Sequence, residues 1–243
     1  MKALKTLVAS CFLALAFAAP GSSTRADFAR VGVGATAGAQ MGPGMMGQGP
    51  QPRGLFNPIV GSGAQYEYQS AGKDKMTMEI DVVGKESVNG KDGYWFETAF
   101  NSPMGEMTMK MLTVSDGANA TVEKMIMQMP GRPPMEMPAE MGRMAGQKQS
   151  VDIRDKADDL GTESVTTPAG TFTAHHYRMK DGSGDFWLSE QVSPYGVIKG
   201  QGKDFTMVLT KVVTDAKDKI TGTPVPFNPR LMMPGGAGAP PVR

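Results

Sequence analysis

Apolar and polar residues alternate with a period of two through most of the middle of the chain, which predicts strands rather than helices. Ala64–Ser70 places Tyr66 and Tyr68 on one face. Lys75–Val88 places Met76, Met78, Ile80 and Val82 on one face and Thr77, Glu79 and Asp81 on the other. Asn89-Gly90 and Asp92-Gly93 mark a hairpin turn. Tyr94–Asn101 then aligns Tyr94, Phe96, Thr98 and Phe100. Gly105–Ser115 sets Met107, Met109 and Met111 against Glu106, Thr108 and Lys110, Asp116-Gly117 turns, and Ala120–Met129 aligns Met125, Met127 and Met129. Consecutive strands with short turns predict an antiparallel meander. No long helical pattern alternates with them, which argues against a parallel Rossmann-like sheet.

Pro130 to Gln149 interrupts the pattern. Pro133-Pro134 reads as loop, and Pro138–Gln147 as a short helix with Pro at its first position and Met141 and Met144 three apart. The acidic stretch Val151–Leu160 reads as loop or weak helix. A second strand group follows: Gly161–Thr167, a Pro168-Ala169-Gly170 turn, Thr171–Lys180, a turn over Asp181–Gly184, Asp185–Glu190, Pro194–Gln201 and Asp204–Asp215. The expectation is about nine strands in a mainly β (α+β) domain, a curved antiparallel sheet or incomplete barrel with one or two short helices.

The ends change this picture. Lys2 and Lys5 precede an apolar run, Leu7–Ala19, too short to span a bilayer comfortably and followed by small residues. Residues 1–26 therefore read as a secretory signal peptide cleaved between Ala18 and Ala26, giving a periplasmic or secreted protein. Val8-Ala9-Ser10-Cys11 has the shape of a lipobox, so lipidation at Cys11 is the alternative. Cys11 is the one cysteine, and ordinary cleavage leaves no thiol for catalysis or disulfides. Residues 27–58 and 223–243 are rich in Gly, Pro and Met and read as a tether and a tail flanking a domain at 59–222.

With 25 basic and 24 acidic residues in 243, nothing in the charge calls for nucleic acid. His175 and His176 are adjacent, and neighbouring strand residues point to opposite faces, so the pair does not converge on one metal or substrate. Asp152, Asp155, Asp158 and Asp159 lack the glycine and glutamate of a calcium loop and read as a solvated face. No catalytic or phosphate-binding motif is present, so neither enzymatic activity nor a cofactor is expected.

Methionine is the anomaly, at 21 residues. As flexible filler it suits a core or an adaptable apolar cavity. As a soft thioether it suits Cu(I), but residues two apart on a strand stand roughly 6.6 Å apart and need a neighbouring strand to close a site. Met41–Met46 and Met135–Met144 are the places to look. The ligand-binding candidates on the Met/aromatic face are Met78, Ile80, Phe96, Met107, Met109, Met111, Met125 and Met127. The partner they suit is a lipid or other hydrophobic small molecule, bound by a monomer with at most peripheral envelope contact. A packed structural domain of the envelope is the competing reading.

The export signal, the meander, the central break and the second strand group, with GTESVTTPAGTFTAHHYR, DFWLSEQV and YGVIK, resemble the periplasmic lipoprotein-carrier fold of the LolA, LolB and LppX type over roughly residues 60–215. The resemblance implies a curved, incomplete barrel of antiparallel strands that holds acyl chains. It carries fold and ligand class, and no individual residues.

Overall fold

Residues 54–102, 105–115, 119–138, 140–141, 149–150 and 152–229 are described by the structure, a computed structural model. The expected signal peptide, most of the tether and most of the tail lie outside these residues.

The first meander is β1 (Gly63–Ser70), β2 (Met76–Val88), β3 (Lys91–Ser102), β4 (Gly105–Ser115) and β5 (Asn119–Gln128). Asn89 and Gly90 take φ of 52° and 77°, the left-handed pair that a two-residue hairpin with native twist requires. Two short strands lie in and at the end of the expected break, β6 (Met135–Glu136) and β7 (Gln149–Ser150), and a third, β13 (Val225–Pro226), comes much later. The second group is β8 (Ala157–Thr167), β9 (Gly170–Met179), β10 (Asp185–Leu188), β11 (Val197–Gln201) and β12 (Phe205–Val213).

All thirteen strands join one sheet, in the order β13-β6-β5-β4-β3-β2-β1-β12-β11-β10-β9-β8, with β7 on β5. Among the described residues every strand pairing is antiparallel except β13 on β6, and an isolated parallel bridge joins Gly54 and Asp152. The two meanders are sewn together by β1 and β12, paired from Gly63↔Val213 to Ser70↔Phe205. Bulges at Gln65/Tyr66, Val82/Gly84, Leu112/Thr113 and Asp159/Thr162 bend the strands they interrupt. The bending is large: β8 and β12 come within 8 Å (Cα–Cα) although three strands lie between them. On a flat sheet four strand spacings would separate them by about 19 Å.

Two expectations are revised. Val151–Leu160 is neither loop nor helix throughout. Arg154–Lys156 makes one 3-10 turn, and Ala157–Leu160 already belongs to β8, with Ala157 buried opposite Met179. Acidic side chains tolerate this strand because β8 is the sheet edge and most of them face water. Of the expected helix at 138–147, Glu140 and Met141 are helical, and residues 142–148 lie outside the described residues.

The paired region also reaches past 59–222. Leu55 and Asn57 donate backbone bonds to Tyr195 and Pro194 (2.8 Å each), and Val225 donates to Pro134 (2.9 Å). The core behind β1, β2 and β9–β12 is built from Ala64, Tyr66, Met78, Ile80, Leu188, Val197, Ile198 and Leu209, together with Ile153 and Val192 from connecting segments.

Candidate functional site

Opposed residues in antiparallel strands share a face, so the register assigns the candidates directly. One cross-strand row runs Tyr66, Met78, Phe100, Met107. The next runs Ala64, Ile80, Thr98, Met109, Met127, Met135, and a third runs Val82, Phe96, Met111, Met125. All eight candidates therefore lie on one face, as the period-two pattern predicts.

Packing then divides them. Met78 and Ile80, at 0% and 2% exposure, are part of the large core against β9–β12. Phe96, at 1%, stacks on Tyr195 at 5.8 Å and 19°, with Phe56 at 5.8 Å on another side. Tyr66 lies in the same core, and its hydroxyl is buried without a hydrogen-bond partner. Burial, and secondarily Tyr195, drives the Tyr66 hydroxyl pKa upward, so it stays neutral. These three candidates are covered by their own chain.

The other end of the face is a second apolar cluster. Val122, Met125, Met127 and Met137 are buried there, with Met109, Met111, Met141 and Phe227 packed around them. Met109 stands opposite Met127, and Met111 opposite Met125. What packs against this cluster is slight: the two-residue strand β6 beside β5 in the sheet, the turn at Glu140–Met141, and Phe227 just after β13. Met107 is half-buried beside Phe100, outside both clusters. Met135, Met137, Met141 and Phe227 are absent from the sequence-derived set. Met135–Met144 was marked only as a thioether locus, and nothing local connects Phe227 to a strand a hundred residues earlier.

The opposite face carries charge under cover. Residues 214–222 form a strap that crosses the strands along the row Gly63, Asp81, Glu97, Lys110. Ala216 N–H donates to Gly61 O at 2.9 Å. Lys219 N–H donates to Glu97 Oε1 at 2.9 Å, and Ile220 N–H is shared between Glu97 Oε2 (3.3 Å) and Asp218 Oδ1 (3.1 Å). The Lys219 ammonium bridges Glu79 and Asp81 Oδ2, the latter at 3.0 Å, and Lys110 binds Asp218 while lying 5.1 Å from the Trp95 ring centre. Asp81 and Glu97 are each 1% exposed.

Burial pushes the Glu97 carboxyl up to about 7, helped by its hydrogen bond with Asp218. Burial likewise pushes Asp81 up to about 6, against the pull of Lys219. Glu79 and Asp218 go the other way. Burial would raise both, but Lys219 outweighs it for Glu79 and Lys110 outweighs it for Asp218, so both are lowered. The alternation of the strand sequence predicts Glu79 and Asp81 on the polar face, which is where they lie. That the polar face is covered there depends on a segment far along the chain.

The histidines keep separate company. His175 lies beside Tyr177 and 3.5 Å from Asp159 Oδ2. His176 stacks on Trp187 at 4.3 Å, between Glu163 and Asp185, each 3.5 Å from a ring nitrogen. Asp152 is bound by Arg154, and Asp158 lies 4.0 Å from Lys180. Among the described residues, no group of three or more His, Cys, Asp or Glu side chains is arranged to hold a metal ion.

No protein-family model matches the chain. No curated protein sequence matches it either. Two solved structures match the chain at low identity and low TM-score. One is a protein named as a lipoprotein of Parabacteroides distasonis, with 14% identity and a TM-score of 0.32, covering 67% of this chain and 100% of that one. The other is a protein of Bacteroides fragilis named as exported, with a YmcC-like fold, 12% identity and a TM-score of 0.33, covering 66% of this chain and 99% of that one. Neither is named as a lipoprotein carrier.

Proposed function

We propose that this is an exported, non-catalytic β-protein that takes up the apolar part of a lipid or other hydrophobic small molecule at the methionine end of the sheet face, against Phe227. The observation that carries the reading is the second cluster: methionines from β4, β5 and the following segment, edged by the two-residue strands β6 and β13 and packed against one aromatic ring. Methionine is unbranched and polarizable, so such a cluster repacks around guests of different shape at little cost. Each buried methylene contributes roughly 0.8 kcal/mol, so about ten would contribute roughly 8 kcal/mol before the cost of association. Met109, Met111, Met125 and Met127 would form the adaptable wall, with Met107 at its margin, while Met78, Ile80 and Phe96, already covered, would hold the sheet beside it rigid. Export is read from residues 1–26.

Native mass spectrometry of protein recovered from the exported fraction, together with titration of a fluorescent fatty acid, tests the reading. The expected result is a bound apolar mass, or saturable probe binding that tightens several-fold in Phe227→Ala. A clean apo mass with no probe binding by either form overturns it and leaves a packed structural domain.

A second reading is favoured by the opposition of Met109 to Met127 and of Met111 to Met125, which supplies the neighbouring-strand thioethers that Cu(I) needs. Cu(I) titration against a competing chelator decides it: retention lost in Met125→Leu/Met127→Leu supports it, and no retention above background removes it.

A further inference from the structure

The strap at 214–222 is held to the sheet by carboxyl groups in an unusual way. Glu97, on β3, and Asp218, on the strap, both reach the amide of Ile220, at 3.3 and 3.1 Å. Two acids that share one donor stand side by side across the interface between sheet and strap. Two adjacent carboxylates out of water repel strongly, whereas one proton between them makes a hydrogen bond. The same motif recurs next door, where Asp81 and Glu79 sit on either side of the Lys219 ammonium.

We propose that residues 214–222 form a proton-sensitive latch, closed while Glu97 and Asp218 share a proton and loosened when the pair loses it. The pair bridges two separate pieces of chain, so its repulsion acts directly on the joint. The charges facing it from each packed element are known. β2 supplies Glu79 and Asp81, β4 supplies Lys110, β12 supplies Lys211 near Glu79, and the strap itself supplies Asp218 and Lys219. Lys110 sits on Asp218 and Lys219 on the Glu79/Asp81 pair, which leaves Glu97 as the acid without a lysine of its own. The Glu97 carboxyl, raised to about 7 by burial, agrees with this assignment.

The latch has reach beyond itself. The strap leads to β13, whose pairing with β6 holds Phe227 against the methionine cluster. Loosening it loosens the anchorage of Phe227 at the proposed site. The latch does not depend on ligand binding, so its test and that of the ligand site fail separately.

Amide hydrogen exchange of the intact protein, corrected for intrinsic rates, tests the latch. Between about pH 5 and about pH 9, protection at Lys219 and Ile220 is expected to fall by roughly tenfold or more relative to amides of β2 and β3, in line with one proton lost per opening. Glu97→Gln keeps a hydrogen-bond donor toward Asp218 and cannot ionise, so its protection should be flat across that range. If Glu97→Gln does not fold, Asp218→Asn removes the carboxylate that repels Glu97 from the strap side and should make the profile shallower, with Glu97 still free to ionise. Wild-type protection that does not change with pH overturns the latch, as does a pH dependence as steep as the wild type's in the folded variant.

Discussion

Asp81 has one carboxylate oxygen on Lys219 and another, Oδ1, with no hydrogen-bond partner, buried against the backbone of β1. The residue it faces across the ladder is Gly63. A Cβ there would overlap Asp81 Oδ1 and the carbonyl of Ile80, so the glycine is a matter of space. Gly63→Ala must move a buried carboxyl or the strand, and is expected to lower stability by about 1–3 kcal/mol. Urea unfolding at pH 7 measures this. An unchanged midpoint would show that the strand moves freely there. At this scale the face of each residue was legible from alternation alone, and Met78, Ile80, Phe96 and the methionines of β4 and β5 all lie together as the pattern requires. Their burial was not legible, because alternation reports which residues share a side and says nothing of what arrives from elsewhere to cover it.

Among the elements, the short ones decide what is exposed. The long strands of the first meander follow from alternation and turn chemistry, and Asn89-Gly90 sets their first hairpin. β6 and β13 have two residues each, in proline-rich surroundings with no alternation to read, and Val225–Pro226 fell in a stretch that composition assigns to a tail. Pro226 tolerates its place because β13 is an edge strand. These small elements shield the methionines, which gives an ordering that can be checked. Under dilute hydrogen peroxide, the half-buried Met107, Met109, Met111 and Met141 should form sulfoxide before Met78, Met125, Met127, Met135 and Met137. Removal of residues 223–243 should bring Met125 and Met127 forward several-fold and leave Met78 slow. Peptide mass spectrometry over time reads both. Equal rates for Met78 and Met127 in the shortened chain would mean that β13 and Phe227 shield nothing.

Across the whole molecule, the carboxyls pull stability in opposite directions with pH. Glu97 and Asp81 bind their protons more tightly when folded, at about 7 and about 6 against ordinary values of 4.5 and 3.8. Their contribution is complete below the ordinary values and is lost as pH rises through 6 and 7. Glu79, Asp218, Asp152 and Asp185 are lowered by lysine or arginine partners, and their contribution is lost as pH falls through the ordinary carboxylate range. Stability is therefore expected to crest on the acid side of neutrality. Urea midpoints from about pH 3 to about pH 9 check this. A midpoint that climbs steadily through pH 8 contradicts the buried pairs.

The seam between β1 and β12 has a consequence for how the chain is made. Thr210 Oγ1 bonds Gln65 O across 145 residues, so the centre of the sheet joins late in a growing polypeptide, with the β13–β6 pairing after it. Until residue 213 has emerged, β1 has β2 on one side and an open edge on the other, with Ala64 and Tyr66 uncovered. Pairings this distant in sequence form slowly. A chain with such a seam stays open until its synthesis is nearly complete, the state in which a polypeptide can be threaded through a narrow pore. The same delay exposes an apolar strand edge, where a holding chaperone would find its purchase.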